Sequence, residues 1–231
     1  AAQPAPAAPV LLPVSPPPPV DASTLFLNPG RKQRPRCIAV LLRGIPGAGK
    51  SRFARLVRDF EKEAGASAPR ILCLDDYFQG DDGYEYDAAL EPSYRKSLLQ
   101  SLVKTVAKPK LHPLVVVDAV NLKVEHLEPL YAAAAQAGYA PYVAPIDGWD
   151  VAACAGRNVH GFTRPQLDEL AATLEPAPNW MCLMDTGGMC GGNRPDKENT
   201  ACSQARRALG NTGGDWDSGG ASGVNEVDMD D

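Results

Sequence analysis

A three-layer α/β fold with a mainly parallel five-stranded sheet is predicted by three features of the 231-residue chain. Short apolar runs alternate strictly with amphipathic segments from residue 37 onward, the pattern of strands crossing over through helices. The runs are continuous and rich in valine, isoleucine and leucine, as strands buried on both faces require. A glycine-rich octapeptide sits between the first run and the helix that follows it, where an α/β sheet places its ligand loops.

The elements follow in order. Cys37 to Arg43 (CIAVLLR) reads as a buried strand, and Phe53, Leu56, Val57 and Phe60 recur at helical spacing after it. Ile71 to Leu74 is the second strand, closed by Asp75 and Asp76. Residues 92–107 form a helix entered at Pro92, with Tyr94, Leu98, Leu102 and Val106 on one face. Leu114 to Val117 is the third strand, ending at Asp118. Val124, Leu127, Leu130 and Tyr131 mark a helix stopped at Gly138. Tyr139 to Ile146 is a fourth strand whose two prolines place it near an edge. Helices over 150–158 and 166–174 precede a fifth strand at Trp180 to Met184.

Three segments result. Residues 1–36 hold 10 of the 22 prolines and end in the basic cluster Arg31, Lys32, Arg34 and Arg36. They read as a disordered linker, its basic end serving as an import signal, a phosphate-attracting patch or a solvated flank. Residues 37–186 are the folded domain. Residues 187–231 hold 10 of the 21 glycines and finish on Glu226, Asp228, Asp230 and Asp231, a disordered acidic tail. No apolar run reaches the roughly 18 residues of a membrane helix, so no membrane partner is expected. The six cysteines offer no CxxC pair and accompany only three histidines, which points to reduced thiols in place of a zinc site or a disulfide framework. A monomer is the default.

The octapeptide Gly44-Ile45-Pro46-Gly47-Ala48-Gly49-Lys50-Ser51 matches the phosphate-loop pattern GxxxxGK[ST], which makes the domain a P-loop NTPase fold binding ATP with Mg2+. Its backbone N–H groups and the following helix's N-terminus cradle phosphate, Lys50 reaches the β- and γ-phosphates, and Ser51 ligates the metal. Asp118, after an apolar strand, is the matching metal-side carboxylate. Asp75 stands at the carboxyl end of its strand, on the same sheet edge, and suits a general base for a hydroxyl acceptor. Arg157 and Arg164, with Asn158 and His160, form a basic stretch between two helices that can close over the transferring phosphoryl group. The NKxD pattern that reads guanine is absent, which favours ATP. Tyr84 to Asp87, aromatic with interleaved acids, reads as a structural loop in preference to a base-stacking surface.

The stretches GIPGAGKS, LDDYF, VVVDAVN and GRNVHG resemble the kinase half of polynucleotide kinases. Together with YEYDAAL, the EPAP segment near Glu175 and the terminal NEVDMDD, they resemble still more closely the carboxy-terminal domain of the YLP motif-containing family. That resemblance implies a nuclear P-loop kinase-like protein in RNA- and transcription-associated complexes, with nuclear protein partners recruited through the tails and RNA or single-stranded nucleic acid as a candidate ligand. By position, Lys50 and Ser51 are the phosphate-loop pair, Asp118 the metal-side acid, Asp75 the general base and Arg157 part of the lid. Phe78 stands where phage polynucleotide kinases carry a basic residue, and 37–186 holds 15 basic against 19 acidic groups. Both departures weaken attraction for a nucleic-acid strand. Two functions are therefore expected: transfer of the ATP γ-phosphate to a nucleic-acid hydroxyl, or an ATP-binding regulatory module with little or no transfer.

Overall fold

The computed structural model describes residues 17–80, 83–146, 150–187 and 189. Among these the main sheet has four strands: β2 (Ile38–Arg43), β3 (Arg70–Cys73), β6 (Leu114–Asp118) and β7 (Ala140–Pro145), in the order β3-β6-β2-β7, all parallel. The flanking helices are α1 (Ala22–Phe26), α2 (Lys50–Glu63), α3 (Glu91–Val106) and α4 (Val124–Gln136), and α5 (Val151–Arg157) and α6 (Arg164–Ala172) complete the helical set. Small strands β1 (Val20–Asp21) and β8 (Met184–Asp185) pair parallel, and β4 (Gln79–Gly80) with β5 (Gly83–Tyr84) antiparallel.

Strand β2 shows why the layers form. All six of its residues are buried, and their two-residue alternation divides them between the faces. Ala39 and Leu41 pack with Leu98 and Leu102 of α3 and Leu127 of α4. Ile38, Val40 and Leu42 pack with Phe53 and Val57 of α2 and Phe26 of α1. Helices on both faces of a parallel sheet give the three-layer α/β architecture anticipated from the sequence, and β7 lies at the sheet's edge. Connections leave β2 toward β3 on one side and reach β7 on the other, so the sheet's switch point lies beside β2, above its carboxyl end.

Two expectations are corrected. The fifth strand contributes to the main sheet only one parallel bridge, Val143 to Leu183, because the chain there turns to pair Met184 with Val20. The linker placed over residues 1–36 ends earlier. Residues 20–33 form β1, α1 and a 3₁₀ turn, with Asp21 Oδ1 accepting from Ser23 N at 2.8 Å as the cap of α1. Ala22, Leu25 and Phe26 are buried in the core. The basic cluster is partly internal too: Arg31 and Arg34 both donate to the buried carboxylate of Glu61 on α2, each with a bond of 2.8 Å to Oε2. Apolar burial and this clamp together outweigh the proline-rich composition. Residues 1–16 and 190–231, including the acidic end, lie outside the described residues.

Candidate functional site

The site grows from the carboxyl ends of β2, β3 and β6. Strand β2 runs into Gly44–Gly49, and Lys50 begins α2. Two glycines are required for different reasons. Gly49 caps α2 with φ +106 and has open space where a Cβ would stand. Gly47, at φ +79, lies so close to α5 that a Cβ would sit 2.2 Å from the Cys154 carbonyl oxygen. Gly47→Ala therefore displaces α5 from the loop in addition to straining the backbone. ATP affinity, measured by calorimetry, is expected to fall at least tenfold in Gly47→Ala. Gly49→Ala should lose less, since it meets only the left-handed backbone cost of about 1–2 kcal/mol.

Lys50 is buried, its Nζ donating to the Ile45 carbonyl at 3.0 Å. Burial pulls its pKa below the usual lysine range, against the opposing pull of Asp118 and Asp75. Asp118, at the end of β6, is buried and its pKa is raised by desolvation, although the Ser51 side chain hydrogen-bonds it and Lys50 lies near. Lys50 of the phosphate loop, Asp118 and Asp75 thus act on one another's charge. An oxygen-only pair, Ser51 and an under-compensated carboxylate, fits a hard divalent cation such as Mg2+. The neighbouring Cys73 thiol is pushed up to about 12, first by burial and then by Asp118 and Asp75, which leaves it protonated and inert as a nucleophile.

Asp75 opens a 3₁₀ turn, Asp75–Phe78, directly after β3. It lines a cavity of about 1180 Å³ shared with the phosphate loop, Lys50, Ser51 and Arg157. Arg157, the last residue of α5, reaches back toward Cys154 Sγ at 3.8 Å. Arg164 does not join them. It begins α6, is exposed, and approaches Asp168 at 3.9 Å one turn on, outside the cavity wall. Arg164, which the sequence put in the basic stretch closing over phosphate, thus stands outside the wall shared by the phosphate loop, Lys50 and Arg157. Phe78 is buried against the rings of Tyr84, Tyr86 and Tyr94, with the Tyr94 ring edge-on at 4.9 Å.

Several wall residues escaped the sequence reading. Tyr84 and Tyr86, read as a structural loop, line the cavity. Tyr86 donates to Glu91, and burial followed by that bond pushes its hydroxyl up to about 12. Glu91 also accepts from Arg95 Nε at 2.7 Å. Burial alone would raise Glu91, but the Tyr86 hydroxyl and Arg95 outweigh it and hold the carboxyl low. Arg95 Nη2 donates to the Val120 carbonyl at 2.9 Å, tying α3 to the segment after β6. The Glu91 and Arg95 spacing of four was a visible signal, whereas their place in the cavity was not. Asn121 is structural: its Nδ2 donates to the Leu42 carbonyl at 2.8 Å and locks the end of β6 to β2. Arg43, also buried, donates from Nε to the Asn121 carbonyl at 2.8 Å.

No protein-family model matches the chain. In an alignment 183 positions long that covers 71% of this chain, it is 35% identical to YLP motif-containing protein 1 of Rattus norvegicus, and it spans 13% of that relative's length. Among solved structures it is similar to the Mycobacterium tuberculosis APS kinase CysC in complex with AMPPNP and APS, at 22% identity over 76% of this chain and 97% of that one, TM-score 0.46. It is also similar to Chaetomium thermophilum Kti12 in complex with ADP-AlF3, at 18% identity over 74% of this chain and 96% of that one, TM-score 0.49.

Proposed function

Because the chain belongs, over 71% of its length, to the YLP motif-containing family, we propose that it is a nuclear, Mg2+-dependent P-loop phosphotransferase that moves the ATP γ-phosphate to a nucleic-acid hydroxyl. The observation that carries this reading is the convergence of Lys50, Ser51, Asp75 and Arg157 on one cavity, with the buried Asp118 close enough for Ser51 and Lys50 to favour its charged form. The loop amides and Lys50 bind and neutralise the β- and γ-phosphates. Ser51 and Asp118 hold Mg2+, which when bound offsets charge on the phosphate oxygens. Asp75 takes the proton of the acceptor hydroxyl as its oxygen bonds to the γ-phosphorus and the bond to the β-phosphate oxygen breaks, releasing ADP. Arg157, on the wall of the same cavity, stabilises charge on the transferring group. Protein partners are recruited through the terminal segments, and the protein acts as a monomer.

The test is transfer of labelled γ-phosphate from ATP to a 5′-hydroxyl RNA or DNA oligonucleotide. Labelled product is expected with the wild-type chain, and Lys50→Ala should lower it by a hundredfold or more, the scale of removing a preorganised charge from a reacting phosphoryl group. Phe78 favours a second reading. Buried among three tyrosines, it offers no cation to an acceptor strand, which suits an ATP-binding regulatory module in RNA- or transcription-associated complexes. Protein whose melting temperature rises with Mg2+ and ATP, yet labels no acceptor, would select that reading.

A further inference from the structure

Loop 158–163, between α5 and α6, brings an imidazole to the candidate base. Asn158 shapes the loop: its Oδ1 accepts from His160 N at 2.9 Å and its Nδ2 donates to the Phe162 carbonyl at 2.7 Å. Two ring contacts seat the loop on the hairpin side of the cavity, His160 against Tyr84 at 4.4 Å between centroids and Phe162 against Tyr86 at 5.4 Å. In that position His160 Nε2 stands 3.4 Å from Asp75 Oδ2, a separation that catalytic hydrogen bonds shorten once ligand is bound. His160 Nδ1 is buried and has no hydrogen-bond partner among the described residues. A neutral imidazole has one N–H and one lone pair, and an ionised carboxylate can only accept. In the neutral ring the hydrogen facing Asp75 is therefore the one on Nε2.

We propose that His160 is the positioning residue for Asp75, fixing one carboxylate oxygen so that the other faces the acceptor hydroxyl. This deepens the phosphotransferase reading and rests on it. A carboxylate turns readily about its terminal torsion, and one anchored oxygen removes that freedom. The anchor comes from a different segment than the base, so Asp75 is set only while loop 158–163 is seated on Tyr84 and Tyr86. Neither residue type nor spacing in the sequence joins position 75 to position 160. Only the seated loop does.

The test uses the full chain with His160→Phe, which keeps a ring for Tyr84 and loses the donor, and His160→Gln, which restores an N–H near the Nε2 position. Transfer from ATP to a 5′-hydroxyl RNA oligonucleotide is expected to fall about tenfold to a hundredfold in kcat for His160→Phe, the scale of a misplaced reacting group. The KM for ATP should not change, and His160→Gln should retain most of the rate. In an Asp75→Asn background, His160→Phe should cost nothing further. A wild-type rate in His160→Phe, or equal losses in both variants, overturns the proposal. A second measurement does not need activity: the Nε2–H resonance of His160 in the labelled protein should move in Asp75→Asn, and an unmoved resonance overturns the pairing. Wild-type protein that transfers nothing, while that resonance still moves, sinks the phosphotransferase reading and supports the pairing.

Discussion

Asp75→Asn is expected to reduce phosphate transfer by about a hundredfold to ten-thousandfold while leaving ATP bound. The amide keeps the shape of the side chain and cannot take up a proton from the acceptor hydroxyl. Affinity for ATP should hold or rise slightly, because Asp75 is one of the two carboxylates near Lys50. Removing that charge takes an anion away from the place where phosphates enter and leaves Asp118 as the remaining carboxylate acting on Lys50. Single-turnover transfer from labelled ATP measures the first effect and calorimetry with AMPPNP the second. A variant that loses transfer and nucleotide affinity to the same degree would show Asp75 to be a structural support of the loop. The base assignment would then be wrong.

The contrast with Lys50→Ala makes the pair of variants informative. Lys50 is buried at the loop with its ammonium on the Ile45 carbonyl, so its removal weakens phosphate binding as well as chemistry. Asp75 lies on the turn after β3, and its loss should lower the chemical step without weakening ATP binding. An acceptor side and a donor side thus separate by which kinetic constant each variant moves.

Legibility in the sequence follows the range of the interactions. The phosphate loop could be read because its constraints are local: Gly47 and Gly49 need positive φ, and Lys50 and Ser51 follow at fixed spacing. The parallel sheet could be read because β2 and β6 are buried along their whole length, which leaves unbroken apolar runs. The amino-terminal boundary could not. Proline-rich composition over 1–36 masks the three buried residues Ala22, Leu25 and Phe26, and the partner of Arg31 and Arg34 lies 27 to 30 residues away. A run of arginines looks the same whether it faces water or a buried carboxylate. Arg164 shows the same limit: its basic neighbourhood suggested a phosphate contact, and nothing local in the sequence showed that the side chain lies outside the cavity wall, near Asp168. His160 and Tyr84 meet only through tertiary packing, so the aromatic segment Tyr84 to Tyr86 offered stacking faces in the sequence but no sign that they line the cavity.

The clamp on Glu61 carries the largest expected effect on stability. Its carboxylate is 1% exposed and receives bonds from two guanidiniums that are themselves 16% and 20% exposed. Arg34 also donates to the Leu25 carbonyl at 3.1 Å, so the same group ties α1 to α2. Glu61→Ala removes the anion and leaves two positive groups over an apolar layer. Breaking a buried pair in this way costs about 3 kcal/mol here, the lower end of the usual range because both arginines can turn toward water. For a folded unit of this size that corresponds to a fall of about 6–12 °C in Tm, read by calorimetry or circular dichroism. The pH dependence has a definite sign. Burial would raise the Glu61 pKa, but hydrogen bonds from Arg34 and Arg31 outweigh it and hold the group below its ordinary 4.5. A carboxyl lowered in the folded state stabilises fully above its unfolded value and loses that contribution as pH falls through the folded one. The stability difference between wild type and Glu61→Gln should therefore be constant near neutrality and shrink only below about pH 4.5. A gap that widened on acidification, or a Glu61→Ala protein as stable as wild type, would mean that the amino-terminal segment is held by Phe26 and its apolar neighbours alone.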